Sequence, residues 1–208
     1  FTKGLVYPNG PYYNSSTIQR GSLLTTDFTG DPLTPFEPAL PLDGKEKIER
    51  IDPKNAQLHS IPVSPIGYGE AEKILSQMNG DPVPQSWQGG LPFTYRLQGG
   101  SSLTVRLKVD QKIDFVRATN VIGMLKGADA PDEWIILGCH LDSWGFGATD
   151  PSSGTAMLLS LSQTLGKLKD EGYSPKRSIL IGHWDAEEHG VIGSTEWVEQ
   201  MREELNAK

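Results

Sequence analysis

Two short runs with almost no polar content, WIILGC at 134–139 and SILIG at 178–182, constrain this chain more than anything else in it. Each is bounded by turn-forming residues and has the length of a buried strand. Directly after the first come His140, Asp142 and Asp150; directly after the second come Asp185, Glu187 and Glu188. Charged side chains at the edge of a core are costly unless something compensates them. A metal ion is the compensation that suits imidazole and carboxylate together.

The connection between the runs carries Ala156, Leu158, Leu159, Leu161, Leu165 and Leu168 within 153–168, which predicts a helix, and Gly172 and Pro175 then break it. Strand, helix, strand in that order predicts parallel pairing through a right-handed crossover. Both strands then end on one edge of the sheet, where open α/β sheets place their sites. A strand is expected at 113–125, with Val121, Ile122 and Met124, joined to WIILGC by the polar turn Gly127–Asp132 as its antiparallel neighbour. A helix is expected over 191–205, with Trp197, Val198 and Met201 on one side.

The earlier part has a different texture. YPNGPYYNSS, GDPLTPFEPALP and GDPVPQSWQGGLP interrupt it with proline and glycine, which leaves room for short elements only. A helix fits 67–79, where Glu70, Ala71, Ile74, Leu75 and Met78 follow a 3.6-residue period. Strands are predicted at LHSIPVSPIG and at SLTVRLKVD, where Leu103, Val105, Leu107 and Val109 alternate.

Charge narrows the function. A net charge of −7 over 208 residues, with no dense Lys/Arg stripe, argues against a nucleic-acid surface and for a small molecule or peptide as partner. Cys139 is the lone cysteine, so no intrachain disulfide framework exists. No run approaches a membrane span. Phe1 reads as an internal position, so processing signals are expected upstream if they exist at all. Asn14-Ser15-Ser16 matches the N-glycosylation pattern, which matters only in a secreted protein.

Each candidate has a plainer role to weigh against the metal. His140 has Asp142 two residues on, close enough to hold the ring nitrogen that is not ligating. Asp150 lies in a glycine-rich stretch able to turn back across the strand end; it could cap the next helix, but Ser152 or Ser153 would serve as well. The Asp150–Pro151 bond is a candidate cis peptide. Glu187 and Glu188 could be an acidic pair favoured by a helix dipole. Adjacent side chains diverge, however, so one can bind metal while the other acts as general base. His183 and His189 have no second partner at fixed spacing and are read as pocket or core residues. No G-x-S-x-G elbow, phosphate-binding glycine loop or HExxH helix is present.

The stretches GCHLDSWGFGATDPSSGTA and WDAEEHGVIGSTEW, with QRG, GDPLTP and IPVSPIGYGEAEKIL before them, closely resemble the co-catalytic zinc peptidases of the glutamate carboxypeptidase II and transferrin receptor group. The resemblance covers essentially the whole chain. It implies an α/β protein in which residues 1–114 are a β-rich protease-associated apical domain, and residues 115–208 open a zinc-peptidase α/β sandwich with a mostly parallel central sheet. It implies a terminal zinc ligand in His140, a carboxylate bridging two Zn2+ in Asp150, a terminal ligand of the second zinc in Glu188, a general base in Glu187 and an orienting partner for His140 in Asp142. The receptor branch has lost these residues; this chain keeps every one it reaches. A further Asp and a distant His would complete the zinc pair beyond Lys208, so the 208 residues alone are expected to bind zinc weakly and to hydrolyse nothing.

The same resemblance implies a structural Ca2+ held by Thr34, Glu37, Glu196 and Glu199, with Glu37 standing where the family has a Tyr backbone. In the carboxypeptidase branch the residue after QRG is an Asn that grips the substrate's terminal carboxylate. Here it is Ser22, which lacks the amide donor. The implied activity is therefore exopeptidase action on small peptides, as carboxypeptidase or dipeptidase, with an aminopeptidase or a non-catalytic receptor or scaffold as alternatives. A homodimer formed through regions outside this chain, and an extracellular, periplasmic or membrane-anchored location, complete the expectations.

Overall fold

A computed structural model describes residues 7–207. Contacts divide the chain into two units that interleave along the sequence. One takes 1–21 and 60–112; the other takes 22–59 and 113–208. Residues 22–59, grouped with the first region on sequence texture, pack instead with the second. The physical reason is a set of hydrogen bonds that the sequence does not advertise. The Gly30 N–H reaches the Gly190 carbonyl at 2.9 Å, and the Glu196 carboxylate accepts the N–H groups of Asp31, at 2.6 Å, and of Ala39.

In the first unit, helix α1 spans Tyr68–Leu75, shorter than the 67–79 expected. Strands β1 (Asn79–Pro82) and β2 (Arg96–Gln98) pair antiparallel. Tyr68, Ala71, Leu91 and Tyr95 form the buried core. Asn14 is exposed, and its carboxamide oxygen accepts the N–H and the hydroxyl of Ser16. LHSIPVSPIG and SLTVRLKVD form no strand. Alternation only prepares a chain for pairing, and without a neighbouring ladder it does not make a strand.

The second unit holds the sheet. Strand β3 spans Val121–Leu125, only the end of the expected 113–125; β4 spans Ala130–His140, α2 Ser152–Asp170 and β5 Arg177–Trp184. The expected 191–205 helix is two, α3 (Ile192–Gln200) and α4 (Arg202–Asn206), interrupted at Met201. Beta-4 and β5 run parallel, with His140 level with Trp184, as the strand–helix–strand order requires.

The strand order is β3-β5-β4, so β3 lies antiparallel to β5 and not beside β4 as the short turn suggested. The turn after β3 is stitched across the start of β5. The Ala128 N–H donates to the Pro175 carbonyl at 2.8 Å, and the N–H groups of Asp129 and Ala130 to that of Lys176. Ser178, 1% exposed, pins the crossing: its hydroxyl accepts from Gly127 N–H and donates to the Pro131 carbonyl. Chain that crosses there can pair only with the far edge of β5.

Leu158, Leu180 and Ile181 are buried at the centre of this unit. Cys139 faces α2, 3.8 Å from the Pro151 carbonyl. Gly138, Gly182 and Trp184 share the opposite face, where the Trp184 indole lies across both glycines and meets Trp197 of α3 at a centroid distance of 5.2 Å. A side chain at either glycine would collide with that ring. The sheet thus carries helices on both faces, the layering that an α/β pattern implies.

Candidate metal centre

The edge formed by the ends of β4 and β5 gathers the residues. His140 is the last residue of β4, paired with Trp184 at the end of the ladder, and its side chain is 16% exposed. The chain then loops through Ser143–Thr149 and returns at Asp150, whose bond to Pro151 is cis, as anticipated. His140 Nε2 and Asp150 Oδ1 stand 2.7 Å apart. Beyond β5, a turn of 3-10 helix at Glu187–His189 presents Glu188 to the same place. One ligand atom each from His140, Asp150 and Glu188 lies within 4.8 Å of the others. These are the three residues that the family resemblance implies as zinc ligands.

The donor set fits a divalent ion of the zinc type, which takes imidazole nitrogen and carboxylate oxygen. Burial of the His140 ring opposes its protonation, yet the Glu187 and Asp150 carboxylates outweigh that and raise its pKa. Glu187 Oε2 lies 3.8 Å from His140 Nδ1, facing the cluster without belonging to it.

Asp142 does something different from what its spacing suggested. Its carboxylate is 3.6 Å from His140 Nδ1, too far for a hydrogen bond, while its backbone carbonyl sits at 3.0 Å and fixes the ring. The carboxylate oxygens instead accept the N–H groups of Glu187, at 3.0 Å, and Glu188, at 3.2 Å. One residue thereby ties the histidine to the glutamate turn. Asp185 is not in the cluster: its carboxylate accepts from Thr119 N–H at 2.8 Å and from Ala186 N–H at 2.9 Å.

Sequence reasoning missed Thr155 and Asn120 altogether, and for Ser22 it considered substrate recognition but not a bond to the glutamate turn. The Thr155 hydroxyl donates to the His140 carbonyl at 3.0 Å, and the Ser22 hydroxyl donates to the Glu188 carbonyl. Asn120 bridges Asp185 and Gly193. No local pattern marks these residues, because each acts across a gap in sequence. His189 stands edge-on to Trp144 at 4.8 Å, and the Nδ1 of His183 is buried without a hydrogen-bond partner.

A second group lies around the 31–39 loop and α3. Thr34 is 3% exposed and its hydroxyl has no hydrogen-bond partner; Glu199 Oε2 is likewise buried and unpartnered. Lost hydration first, then repulsion from Glu196 and a smaller push from Glu37, drive the Glu199 pKa up to about 7 against the pull of Arg202. Burial also raises the pKa of Glu196, although the Asp31 and Ala39 N–H groups oppose it. Oxygen donors are the kind a hard cation such as calcium takes, although both Glu196 oxygens accept backbone N–H groups and, among the described residues, Glu37, Glu196 and Glu199 do not converge as His140, Asp150 and Glu188 do.

The sign of the pH effect follows. A carboxyl whose folded pKa exceeds the ordinary 4.5 stabilises the fold fully below that value, and the contribution is lost as pH rises to about 7. Calcium is accordingly expected to raise the unfolding midpoint at pH 7.5 and hardly at all at pH 5. Equal calcium shifts at both pH values would contradict the assignment.

Comparison with known proteins agrees with this chemistry. Residues 120–208 match the sequence model of Peptidase family M28. Across 99% of its length the chain is 40% identical to "Aminopeptidase NAALADL1" of Rattus norvegicus, covering 29% of that protein. It is 39% identical to the "Glutamate carboxypeptidase 2 homolog" of Caenorhabditis briggsae, over 98% of this chain and 27% of the relative. Against "Probable glutamate carboxypeptidase VP8" of Zea mays it is 38% identical, over 92% and 26%. The chain spans less than a third of the length of these relatives.

Proposed function

Residues 120–208 belong to peptidase family M28, and from that premise we propose that the protein carrying this chain is a zinc-dependent exopeptidase acting on small peptides. The observation that carries the reading is the convergence of His140, Asp150 and Glu188 within 4.8 Å, from three separate segments. When bound, zinc polarises a scissile carbonyl and makes an attacking water more acidic. His140, Asp150 and Glu188 would hold it, with Asp150 shared between two ions. The additional Asp and His needed for such a pair would come from outside these 208 residues.

Glu187 supplies the proton traffic. Its carboxylate points at the cluster from a backbone fixed by Asp142, so it can take a proton from the attacking water and return it to the leaving amine. Asp142 holds the His140 ring through its carbonyl and the glutamate turn through its carboxylate. Thr34, Glu196 and Glu199, with Glu37 nearby, would hold a structural calcium. The protease-associated reading is kept for the unit formed by 60–112 with the described part of 1–21.

Ser22 bears on which end of a peptide is recognised. Its hydroxyl donates to the Glu188 carbonyl and so is not offered to a terminal glutamate carboxylate. That favours a preference broader than C-terminal glutamate, and it keeps the aminopeptidase reading open beside the carboxypeptidase one. The test is a panel of free, N-blocked and C-blocked dipeptides offered to the complete protein with zinc. Cleavage of N-blocked peptides assigns a carboxypeptidase, and cleavage of only those with a free amine assigns an aminopeptidase. No zinc uptake and no turnover on any of them would overturn the enzymatic reading in favour of a receptor or scaffold.

A further inference from the structure

We infer that Asn120 is a positioning residue for the Glu187–Glu188 turn, acting by locking the base of the loop 185–193; this rests on the metal-centre reading above. Asn120 stands immediately before β3, the strand that pairs with β5, and its side chain reaches past the end of β5. Its Oδ1 accepts the Asp185 N–H at 3.0 Å and its Nδ2 donates to the Gly193 carbonyl at 2.8 Å. Those partners fix which atom is oxygen and which is nitrogen. The Gly193 N–H donates to the Asp185 carbonyl at 2.9 Å, and the three bonds close the loop into a ring. Gly193 has to be glycine, because a Cβ there would overlap the Asp185 carbonyl and Asn120 Oδ1.

What the ring restrains is a costly backbone. Ala186 and Val191 flank the glutamates at φ 54° and 56°, the left-handed region that a β-branched valine rarely enters. Such conformations persist only where the surroundings impose them. Asn120 imposes them from the base of the loop, and the Asp142 carboxylate holds the tip through the N–H groups of Glu187 and Glu188. Release of the base lets Ala186 and Val191 relax, and the displacement is delivered to the Glu188 carboxylate. His140, held in the β4–β5 ladder opposite Trp184, and Asp150, on the loop beyond it, do not follow. The consequence is a ligand set with two members in place and one adrift.

The inference is tested on the complete protein by competing zinc against a chromogenic chelator, beside circular dichroism and steady-state kinetics. Asn120→Ala is expected to weaken zinc binding by about 10- to 100-fold, the usual effect of losing a partner behind the ligands. Turnover at saturating zinc should fall through kcat with KM little changed. Asn120→Asp keeps the shape but sets an oxygen against the Gly193 carbonyl, and should weaken zinc as much as alanine does, which loss of packing alone would not produce. Unchanged zinc affinity in folded variants overturns the inference, as do variants too unfolded to load, which would assign Asn120 to the fold alone. A wild-type protein without zinc affinity would sink the metal-centre reading, and this inference with it; intact wild-type affinity beside unchanged variants sinks the inference only.

Discussion

Glu187→Gln in the complete protein should lose about 10²- to 10⁴-fold in kcat while retaining its full zinc content, the range expected when a positioned general base is removed. Glutamine keeps the shape, and the backbone at this position is fixed by a bond from its N–H to Asp142 Oδ1 that the change does not touch. The carboxylate is 37% exposed and 3.8 Å from His140 Nδ1, so it is accessible to a water and close to the cluster without being part of it. Metal analysis and steady-state kinetics check the assignment together. A glutamine variant with activity within tenfold of wild type would remove Glu187 from the chemistry.

Asp150→Ala separates the other half of the site, since its effect on metal should be total and its effect on the metal-free fold slight. The Asp150 side chain is 73% exposed, so its 2.7 Å contact with His140, itself 16% exposed, is open to solvent on the aspartate side and discounted toward the value of surface pairs. Such pairs contribute roughly 0–1 kcal/mol. Loss of a carboxylate proposed to serve two ions, in contrast, leaves neither with its ligands. Elemental analysis should find zinc at background level in the variant and stoichiometric in the wild type, and peptide hydrolysis should vanish with it. The metal-free unfolding midpoint should move little. A variant that keeps its zinc would show that Asp150 serves the loop and not the metal.

Much of this site was legible because ligand chemistry is written in residue types near strand ends. The pattern of apolar runs around a helix was enough to place six imidazole and carboxylate candidates past the ends of two parallel strands, and the family resemblance then singled out His140, Asp150 and Glu188 among them. Asp142 was legible in part: its position beside His140 was evident, but a backbone carbonyl took the expected bond and freed the carboxylate for the glutamate turn. The contacts of Asn120, Thr155 and Ser22 were not legible, because a single amide or hydroxyl carries no periodicity and its partner lies 15 to 166 residues away.

The same division holds for the fold. Apolar periodicity by itself determined the helix between two parallel strands, since a buried strand and an amphipathic helix each require their own spacing of side chains. The sequence also determined the chemistry, since only certain side chains can bind a metal or carry a proton. Tertiary structure alone decided that β3 crosses to the far edge of β5, that 22–59 joins the second unit, and that two non-glycine residues are held left-handed around the glutamates. Those outcomes depend on hydrogen bonds that reach backbone groups of distant segments, some from single side chains such as Glu196, Ser178 and Asn120, and no periodic pattern of side chains announces which backbone groups will be met.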